Sequence, residues 1–318
     1  MRHAMASPSA CAPCCGNWCM VSAQKKFTAH DCTSHRHPLR QRHSPHMSAV
    51  ITAWRQASAF LAEQFGIDLP KLARALLQLP RYLVDLQTFR RAYSGELSLR
   101  PCLHDRSAEA GNARGEYFVQ DLYVARKIHA HRPSVHVDIG SRVDGFVAHV
   151  ASFRSIEVWD IRPMPGPVHG IAFRQADVSD PGSLPRDYCD SMSCLHALEH
   201  FGLGRYGDCI DVRSGEQALH NMAAALQRGG LLHLSVPVGR ERVLFNSHRI
   251  FDPERITAWA RAGGLQLVGF TTVLRDDVLI EHSDWHEAFT DIRQQSYCLG
   301  IFCFQRLTAE QANTAQPP

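Results

Sequence analysis

The chain has 318 residues, and its 45% apolar and 20% charged residues are typical of a folded globular protein. Residues 1–47 carry six Lys and Arg residues against one acid, which leaves 28 Lys and Arg residues and 30 acids for the rest of the chain. That remainder is slightly acidic, which argues against a nucleic-acid-binding surface. No apolar run approaches the roughly 20 residues of a membrane-spanning helix, so we expect no integral membrane segment.

The first 47 residues form a leader that is rich in Cys, His, Pro and Ser and has no helical or strand periodicity. Its Cys11-x-x-Cys14 and Cys32-x-x-His35 pairs have spacings that a zinc site could use, although almost no aliphatic residues accompany them. We predict a disordered leader and no metal site, with a leader zinc site as the alternative. Five of the 11 cysteines lie in this leader, and the other six are scattered along the chain, as buried thiols of a reducing compartment are, so we predict a cytoplasmic protein.

Residues 48–115 favour helices followed by a polar linker. Apolar residues at helical spacing predict a first helix that ends at Gly66. Two later prolines each suit the first position of a helix, which predicts short helices over Lys71–Leu79 and Arg81–Arg91. We expect this extension to cover one edge of the main domain's sheet, and a lid over its site is the alternative.

Residues 116–306 alternate between strand and helix patterns, and residues 307–318 are predicted to form a flexible tail. The alternation predicts an α/β domain whose sheet is mainly parallel and has helices on both faces. After a helix that begins near Glu116, the predicted strands cover 135–139, 156–159, 170–174, 188–195, 231–236, 265–273 and 299–304, with helices over 215–228 and 252–262.

A glycine turn follows the first of these strands. Gly140 ends the strand, Gly145 lies where the next helix begins, and Asp160 closes the second strand, 20 residues after Gly140. An acid at that place accepts hydrogen bonds from both hydroxyls of an adenosine ribose. A dinucleotide also needs glycine where this chain has Arg142, because the backbone there approaches the pyrophosphate. The turn therefore favours S-adenosylmethionine, which has no phosphates, and an ordinary strand-to-helix turn is the alternative.

Polar residues also follow the later strands, at the sheet edge where open α/β sheets bind their ligands. Asp177 ends the third strand, and its carboxylate could accept a hydrogen bond from an adenine amino group. His196 to His200 follow the fourth strand, and Pro237 to Arg249 follow the fifth. Three acids, Asp138, Asp160 and Asp177, thus lie at the ends of successive strands. Such a set favours a ligand site over ordinary surface polarity.

The motifs at the strand ends resemble those of a known family. Val-Asp-Ile-Gly, Trp-Asp, Ala-Asp-Val, Leu-Glu-His and Gln-Arg-Gly-Gly-Leu-Leu-His-Leu-Ser-Val-Pro, in this order, are similar to those of the class I S-adenosylmethionine-dependent methyltransferases. Two longer strings resemble a branch first catalogued as a nematode domain of unknown function, which also has bacterial members; they are Ala-Leu-Glu-His-Phe-Gly-Leu-Gly-Arg-Tyr-Gly-Asp and Val-Gly-Arg-Glu-Arg-Val-Leu-Phe-Asn-Ser-His-Arg-Ile-Phe-Asp. The resemblance covers about residues 116–306 and implies a Rossmann-like, doubly wound, seven-stranded sheet.

The resemblance implies a role for each strand-end residue. Asp160 would hold the ribose, Asp177 the adenine, and His196 would lie near the reactive sulfonium. The chain departs from the family's Asp-x-Gly-x-Gly-x-Gly pattern at Arg142 and Asp144, which are bulky where glycine is expected. Asp138 and Gly140 would border the methionine part of the cofactor. The turn's other predicted cofactor-binding residues are Ser141 and Gly145.

Methyl transfer to oxygen or nitrogen requires an aligned nucleophile, removal of its proton and a pocket that excludes water. His200 is the first candidate base because an imidazole titrates near neutrality, and His248 and Glu199 follow. In the alternative, Glu199 and His200 only tie backbone segments together.

The loop after the fifth strand concentrates Arg240, Arg242, Asn246 and Arg249, which we predict bind the substrate. Guanidinium groups suit carboxylates and phosphates, so we predict an anionic acceptor such as a sugar nucleotide or an acidic glycan precursor. In the alternative, Arg240 and Arg242 pair with Glu241 and neighbouring acids.

The sequence thus predicts an S-adenosylmethionine-dependent methyltransferase whose O or N acceptor is a small molecule or glycan precursor and not a nucleic acid. One alternative is a non-catalytic cofactor-binding or scaffold protein of the same fold. Another is a nicotinamide-dependent oxidoreductase, for which Arg162 beside Asp160 would be a phosphate partner, although Arg142 in the glycine turn argues against it.

Overall fold

The computed structural model describes residues 54, 57, 58, 60–62, 64–103, 105–108, 111 and 113–308. The chain divides into two compact units, Met1–Ala108 and Glu109–Pro318. The leader, with both pairs of predicted zinc ligands, and the tail from residue 309 lie outside the described residues. What the sequence predicts for them therefore stays a prediction.

One long helix dominates the described part of the first unit. Helix α1, Leu69–Ala92, begins at Asp68, whose carboxylate accepts a hydrogen bond of 2.8 Å from the backbone N of Lys71. The prediction of two short helices that meet at Pro80 was wrong, because α1 runs through this proline. Strong helix formers on both sides keep the helix intact, although Pro80 removes one backbone hydrogen bond. Gly66, with a φ of 69°, ends the helical residues before α1, as predicted.

The second unit contains a central sheet of eight described strands. The prediction of seven strands missed β9, because its four residues are too few and too polar to show a two-residue period. The strands are β1 (His136–Ile139), β2 (Ile156–Asp160), β3 (Ile171–Gln175), β4 (Cys189–Leu195), β5 (Leu226–Val238), β8 (Leu265–Val273), β9 (Leu279–His282) and β10 (Cys298–Arg306), and a separate hairpin consists of β6 (Arg242–Leu244) and β7 (His248–Ile250).

The strand order in the sheet is β3-β2-β1-β4-β5-β10-β8-β9. The first five strands in this order pair in parallel, whereas β10 pairs antiparallel with both β5 and β8, and β9 pairs antiparallel with β8. The order reverses between β1 and β4, which places a crevice beyond the carboxyl ends of these two strands. The sheet is mainly parallel and doubly wound, which confirms the predicted Rossmann-like fold.

Helices connect the strands and cover the sheet. The prediction that a helix extends to Arg228 was wrong, because Leu226 already pairs with Cys189 of β4 as the first residue of β5. Among the described residues, no helix combines the length and the apolar character that a bilayer crossing requires. The helices of this unit are α2 (Glu116–His131), α3 (Ala148–Ala151), α4 (Ser214–Ala225), α5 (Pro253–Ala262) and α6 (Trp285–Ile292).

Two clusters of buried apolar side chains hold the helices to the sheet. Val124 and Ile128 of α2 belong to one cluster, whereas Leu219 of α4 and Ile256 of α5 belong to the other. The packing therefore fixes α2 beside the strands whose ends form the crevice, with its first turn at the crevice.

Candidate functional site

A cavity of about 550 Å³ lies at the carboxyl ends of β1, β2 and β4. A volume of this size is typical of a small-molecule site. The predicted residues that line this cavity are Gly140, Ser141, Gly145, Asp160, Asp177, His196 and His200. The predicted residues outside its wall are Asp138, Glu199, Arg240, Arg242, Asn246, His248 and Arg249.

The turn after β1 can be formed only with glycine at position 140. Gly140 has a φ of 71°, and a Cβ atom added there would lie 3.0 Å from the Cβ of Ala197. Gly145 is limited by a side chain, since a Cβ atom added there would lie 3.1 Å from a carboxylate oxygen of Asp121. Both glycines thus let the backbone approach neighbouring residues, as the sequence pattern predicts.

Asp138 holds this turn from inside the protein. Its carboxylate is fully buried and accepts hydrogen bonds from the Ser141 backbone N (3.0 Å), the Ser141 hydroxyl (2.8 Å) and the Ser193 hydroxyl (2.6 Å). Because Ser193 donates its proton to Asp138, His136 Nε2 donates to Ser193 Oγ at 3.1 Å. Burial raises the pKa of Asp138 to about 7. The carboxylate therefore supports the cavity floor without facing the cavity.

Arg142 and Asp144, which replace the family's glycines, pair with each other. Their side chains are 74% and 71% exposed, and the Arg142 guanidinium donates two hydrogen bonds of 3.0 and 2.7 Å to the Asp144 carboxylate. This contact lowers the pKa of Asp144. The guanidinium thus lies in solvent at the cavity rim and does not fill the turn.

Asp160 is engaged by a neighbouring arginine. Its Oδ1 accepts from the Arg162 backbone N (2.8 Å) and Nε (2.9 Å), and its Oδ2 accepts from Nη2 (2.5 Å). Arg162 Nη2 also donates to the Gly140 carbonyl at 3.2 Å, and its guanidinium carbon lies 4.7 Å from the centre of the Tyr206 ring. A carboxylate has about four lone-pair directions. Arg162 occupies both directions of Oδ1 and one of Oδ2, which leaves one direction of Oδ2 for another donor.

Asp177 also lines the cavity, in a short turn. Its Oδ1 accepts hydrogen bonds from the backbone N and the hydroxyl of Ser179, at 2.9 and 2.6 Å. Both contacts use the same oxygen, which leaves Oδ2 for another donor.

His196 forms a buried pair with Glu199. Its Nδ1 lies 2.8 Å from Glu199 Oε1, and its ring stacks on Tyr117 with a centre-to-centre distance of 4.3 Å. Although burial opposes the charged imidazole, the Glu199 hydrogen bond and the nearby Glu116 and Asp121 raise the pKa of His196. Within the described part of the chain, His196 Nε2 and Glu199 Oε2 are buried without a hydrogen-bond partner.

His200 contrasts with His196 in the direction of its pKa shift. Its Nδ1 donates to the Ser247 carbonyl at 2.7 Å, which leaves a lone pair on Nε2, 3.7 Å from Glu199 Oε1. Burial lowers the pKa of His200 despite the attraction of Glu199, and the positive charge of Arg205 lowers it further. The ring is therefore neutral at pH 7 and able to accept a proton.

Three cavity residues come from α2 and were not predicted from the sequence. They are Tyr117, Gln120 and Asp121. Gln120 Nε2 donates to Asp121 Oδ1 at 3.0 Å, and the Ser235 hydroxyl donates to Gln120 Oε1. Burial raises the pKa of Asp121. One feature of the sequence could have indicated them: Gln120 and Asp121 are adjacent polar residues on the apolar face of an amphipathic helix. Buried polar side chains are uncommon and usually have a structural or functional role.

The hairpin residues predicted to bind substrate lie outside the cavity wall. Arg242 Nη1 donates to the Arg240 carbonyl at 3.0 Å, and Asn246 is exposed. Glu241 pairs with Arg255 at 2.7 Å, so the alternative pairing of Glu241 with Arg240 and Arg242 was wrong. In the same hairpin, Arg249 Nη1 donates to the Phe201 carbonyl, and His248 Nδ1 lies 2.9 Å from the Ser247 hydroxyl.

Residues 183–295 match the family described as "Caenorhabditis protein of unknown function, DUF268". Both long motifs lie within this range, which confirms their resemblance to a nematode domain of unknown function. No curated protein matches the chain.

The chain is also similar to solved structures. A 1,6-didemethyltoxoflavin-N1-methyltransferase from Burkholderia thailandensis, with 1,6-didemethyltoxoflavin and S-adenosylhomocysteine bound, is 16% identical, with a TM-score of 0.44 over 61% of this chain and 80% of that one. The [4+2]-cyclase SpnF is 14% identical, with a TM-score of 0.45 over 63% and 86%. The N-methyltransferase NodS from Bradyrhizobium japonicum is 14% identical, with a TM-score of 0.40 over 60% and 88%.

Proposed function

We propose that the chain is an S-adenosylmethionine-dependent methyltransferase that acts on an O or N acceptor. One observation carries the proposal: the Gly140 turn, Asp160 and Asp177 line a single cavity at the point where the strand order reverses. This is where a doubly wound sheet binds a nucleoside ligand. Arg142 stands in place of the glycine that a pyrophosphate needs, which favours a nucleoside without phosphates.

The residues of the cavity fit S-adenosylmethionine. Asp160 and Asp177 each keep an oxygen lone pair for a ribose hydroxyl or an adenine amino group. At the other end, the Tyr117 ring and the Asp121 carboxylate suit a cationic sulfonium. When bound, the cofactor supplies an electrophilic methyl group.

His200 is the proposed base for the acceptor. The rings of His200 and His196 flank the same glutamate, and their environments move the two pKa values apart, lowering that of His200 and raising that of His196. Such a separation assigns proton acceptance to the residue with the lowered pKa. In this assignment, Glu199 positions both rings and His248, outside the cavity wall, takes no proton.

Arg205 supports an anionic acceptor. The other two arginines in the cavity wall pair with Asp144 and Asp160, whereas Arg205 donates to the Ser247 carbonyl at 3.0 Å and stacks on Tyr206. Its guanidinium keeps donors for a carboxylate or phosphate. The hairpin residues Arg240, Arg242, Asn246 and Arg249 would contact only a part of the acceptor that extends beyond the cavity.

Calorimetric titration of the full chain with S-adenosylhomocysteine tests the proposal. We expect saturable heat from one ligand per chain, weakened by Asp160→Asn and unchanged by Asp144→Asn at the exposed rim. Absence of heat would overturn the proposal, and binding of NADH or NADPH instead would indicate an oxidoreductase.

The acceptor class requires a second measurement. Incubation with S-adenosylmethionine and a panel of anionic and neutral alcohols and amines should form S-adenosylhomocysteine with at least one member. Binding of the cofactor without turnover of any acceptor would favour the scaffold alternative. Equal rates with anionic and neutral acceptors would contradict the role of Arg205.

A further inference from the structure

The β6–β7 hairpin exposes three consecutive apolar side chains. Val243, Leu244 and Phe245 are 55%, 40% and 72% exposed. A strand with one face on a protein core alternates buried and exposed residues, but all three residues of β6 are exposed. Ordinary protein surfaces avoid such runs, and an exposed apolar run next to a site indicates a contact surface.

The loop of this hairpin, residues 245–247, is fixed at the cavity. The Ser247 carbonyl accepts the hydrogen bond from His200, which lines the cavity, and Arg249 donates to the Phe201 carbonyl. Phe245 begins the same three-residue loop, two residues before Ser247. The apolar tip is therefore held in a defined position beside the cavity.

Positive charge accompanies the apolar tip. Arg240 and Arg242 are exposed, and Glu241 between them is neutralised by Arg255. Among the described residues, neither arginine has a carboxylate partner. Apolar side chains next to unpaired guanidinium groups suit the boundary of an anionic bilayer, where acyl chains and phosphate groups lie within a few ångströms of each other.

We propose that the β6–β7 hairpin binds the surface of an anionic lipid membrane. Leu244 and Phe245 enter the boundary between headgroups and acyl chains, and Arg240 and Arg242 contact headgroup phosphates. A stable protein interface needs about 20–30 residues on each side, far more than this hairpin provides. A bilayer contact needs only a small apolar insertion combined with charge. The cavity mouth would then face the membrane, whichever ligand the cavity binds.

Sedimentation of the full chain with vesicles tests this proposal. We expect binding to mixed phosphatidylcholine and phosphatidylglycerol vesicles and much weaker binding to phosphatidylcholine alone. The double variant Leu244→Ser/Phe245→Ser and the double variant Arg240→Gln/Arg242→Gln should each reduce binding by about tenfold or more. The matched control Val168→Ser/Val268→Ser changes valines that are 47% and 44% exposed elsewhere in the unit, and it should bind like the unmodified chain.

The proposal would be overturned by no binding to anionic vesicles, by equal binding of the hairpin variants, or by a dimer that Leu244→Ser/Phe245→Ser dissociates. A local probe covers the case in which a variant misfolds. Phe245→Trp should show a blue-shifted emission with anionic vesicles, and an unchanged spectrum would overturn the proposal. Calorimetry with S-adenosylhomocysteine on Leu244→Ser/Phe245→Ser should match the unmodified chain, which separates this test from that of the proposed function.

Discussion

The turn after β1 and the segment after β4 both lie at the cavity, but the buried polar groups of the two regions differ in how completely they are hydrogen-bonded. In the turn, Asp138 accepts three hydrogen bonds from donors within the protein, and its carboxylate does not face the cavity. In the segment, His196 Nδ1 lies 2.8 Å from Glu199 Oε1. The other atoms of the pair, His196 Nε2 (3.7 Å from Glu116 Oε1) and Glu199 Oε2, have no hydrogen-bond partner in the described chain.

This difference indicates a structural role for Asp138 and, under the proposed function, a role for Glu199 in positioning the two histidines. A buried group whose bonds are all internal contributes to stability, whereas a buried group left partly unsatisfied costs free energy and indicates another purpose. Both acids lie near strand ends, so their position in the sequence does not distinguish them. Four experiments test this distinction.

Asp138→Ala should have the largest effect on stability. Removal of the carboxylate leaves three buried donors, on Ser141 and Ser193, without an acceptor, and we expect a loss of about 3–5 kcal/mol in the free energy of unfolding. Urea unfolding followed by circular dichroism measures this loss. Asp144→Ala, at the exposed rim, should change stability by less than about 0.5 kcal/mol. Equal effects of the two changes would contradict the structural role of Asp138.

His200→Gln should reduce turnover by about 100-fold, because the acceptor loses its base. The rate of S-adenosylhomocysteine formation, with an acceptor found in the panel, measures this loss. His248→Gln should have a much smaller effect, since His248 lies outside the cavity wall. The exposed His169→Gln serves as the matched control. Full turnover by His200→Gln would leave Glu199 and its two histidines with a structural role only.

Glu199→Gln should lower the pKa of His196. The neutral amide can replace the hydrogen bond but not the negative charge that stabilises the imidazolium. Nuclear magnetic resonance titration of the histidine rings measures this change. We also expect a loss of about 1–3 kcal/mol in the free energy of unfolding, because a charge-assisted bond becomes a neutral one. An unchanged pKa of His196 would show that the pair is not ionic.

The smallest expected effect is a pH dependence from Asp138. Its pKa is raised from 3.8 to about 7, so its contribution to stability is full below pH 3.8 and is lost as the pH rises through 7. Between pH 5 and pH 7, the unmodified chain should lose up to about 1.4 kcal/mol per pH unit relative to Asp138→Asn. The free energy of unfolding is measured against pH for the unmodified chain and for Asp138→Asn. Subtracting one curve from the other cancels the contributions of the other titratable groups. Parallel curves would mean that Asp138 is ionised throughout this range.

The sequence indicated the fold because its signals are local. Alternating apolar residues predicted β1 and β2, and the predicted strand over 265–273 matches β8 at both ends. Errors arose where tertiary pairing overrides local preference. The helix predicted to reach Arg228 ends at Ala225 because β5 pairs with β4 along its first residues.

The site was less predictable than the fold. Gly140 and Asp160 belong to a motif within one strand-helix-strand unit, so their shared location follows from the chain order. The cavity face of Gln120 depends on how α2 packs on the sheet, which no short motif encodes. The approach of Ser247 to His200 likewise depends on a hairpin whose strands have only three residues each.

Because Arg162 binds the Asp160 carboxylate, it competes with any ligand hydroxyl for the oxygen atoms of this acid. A dissolved inhibitor can be diluted, but a guanidinium two residues away in the chain stays at a constant, high effective concentration. A neutral sugar must therefore use the remaining oxygen direction or displace the arginine.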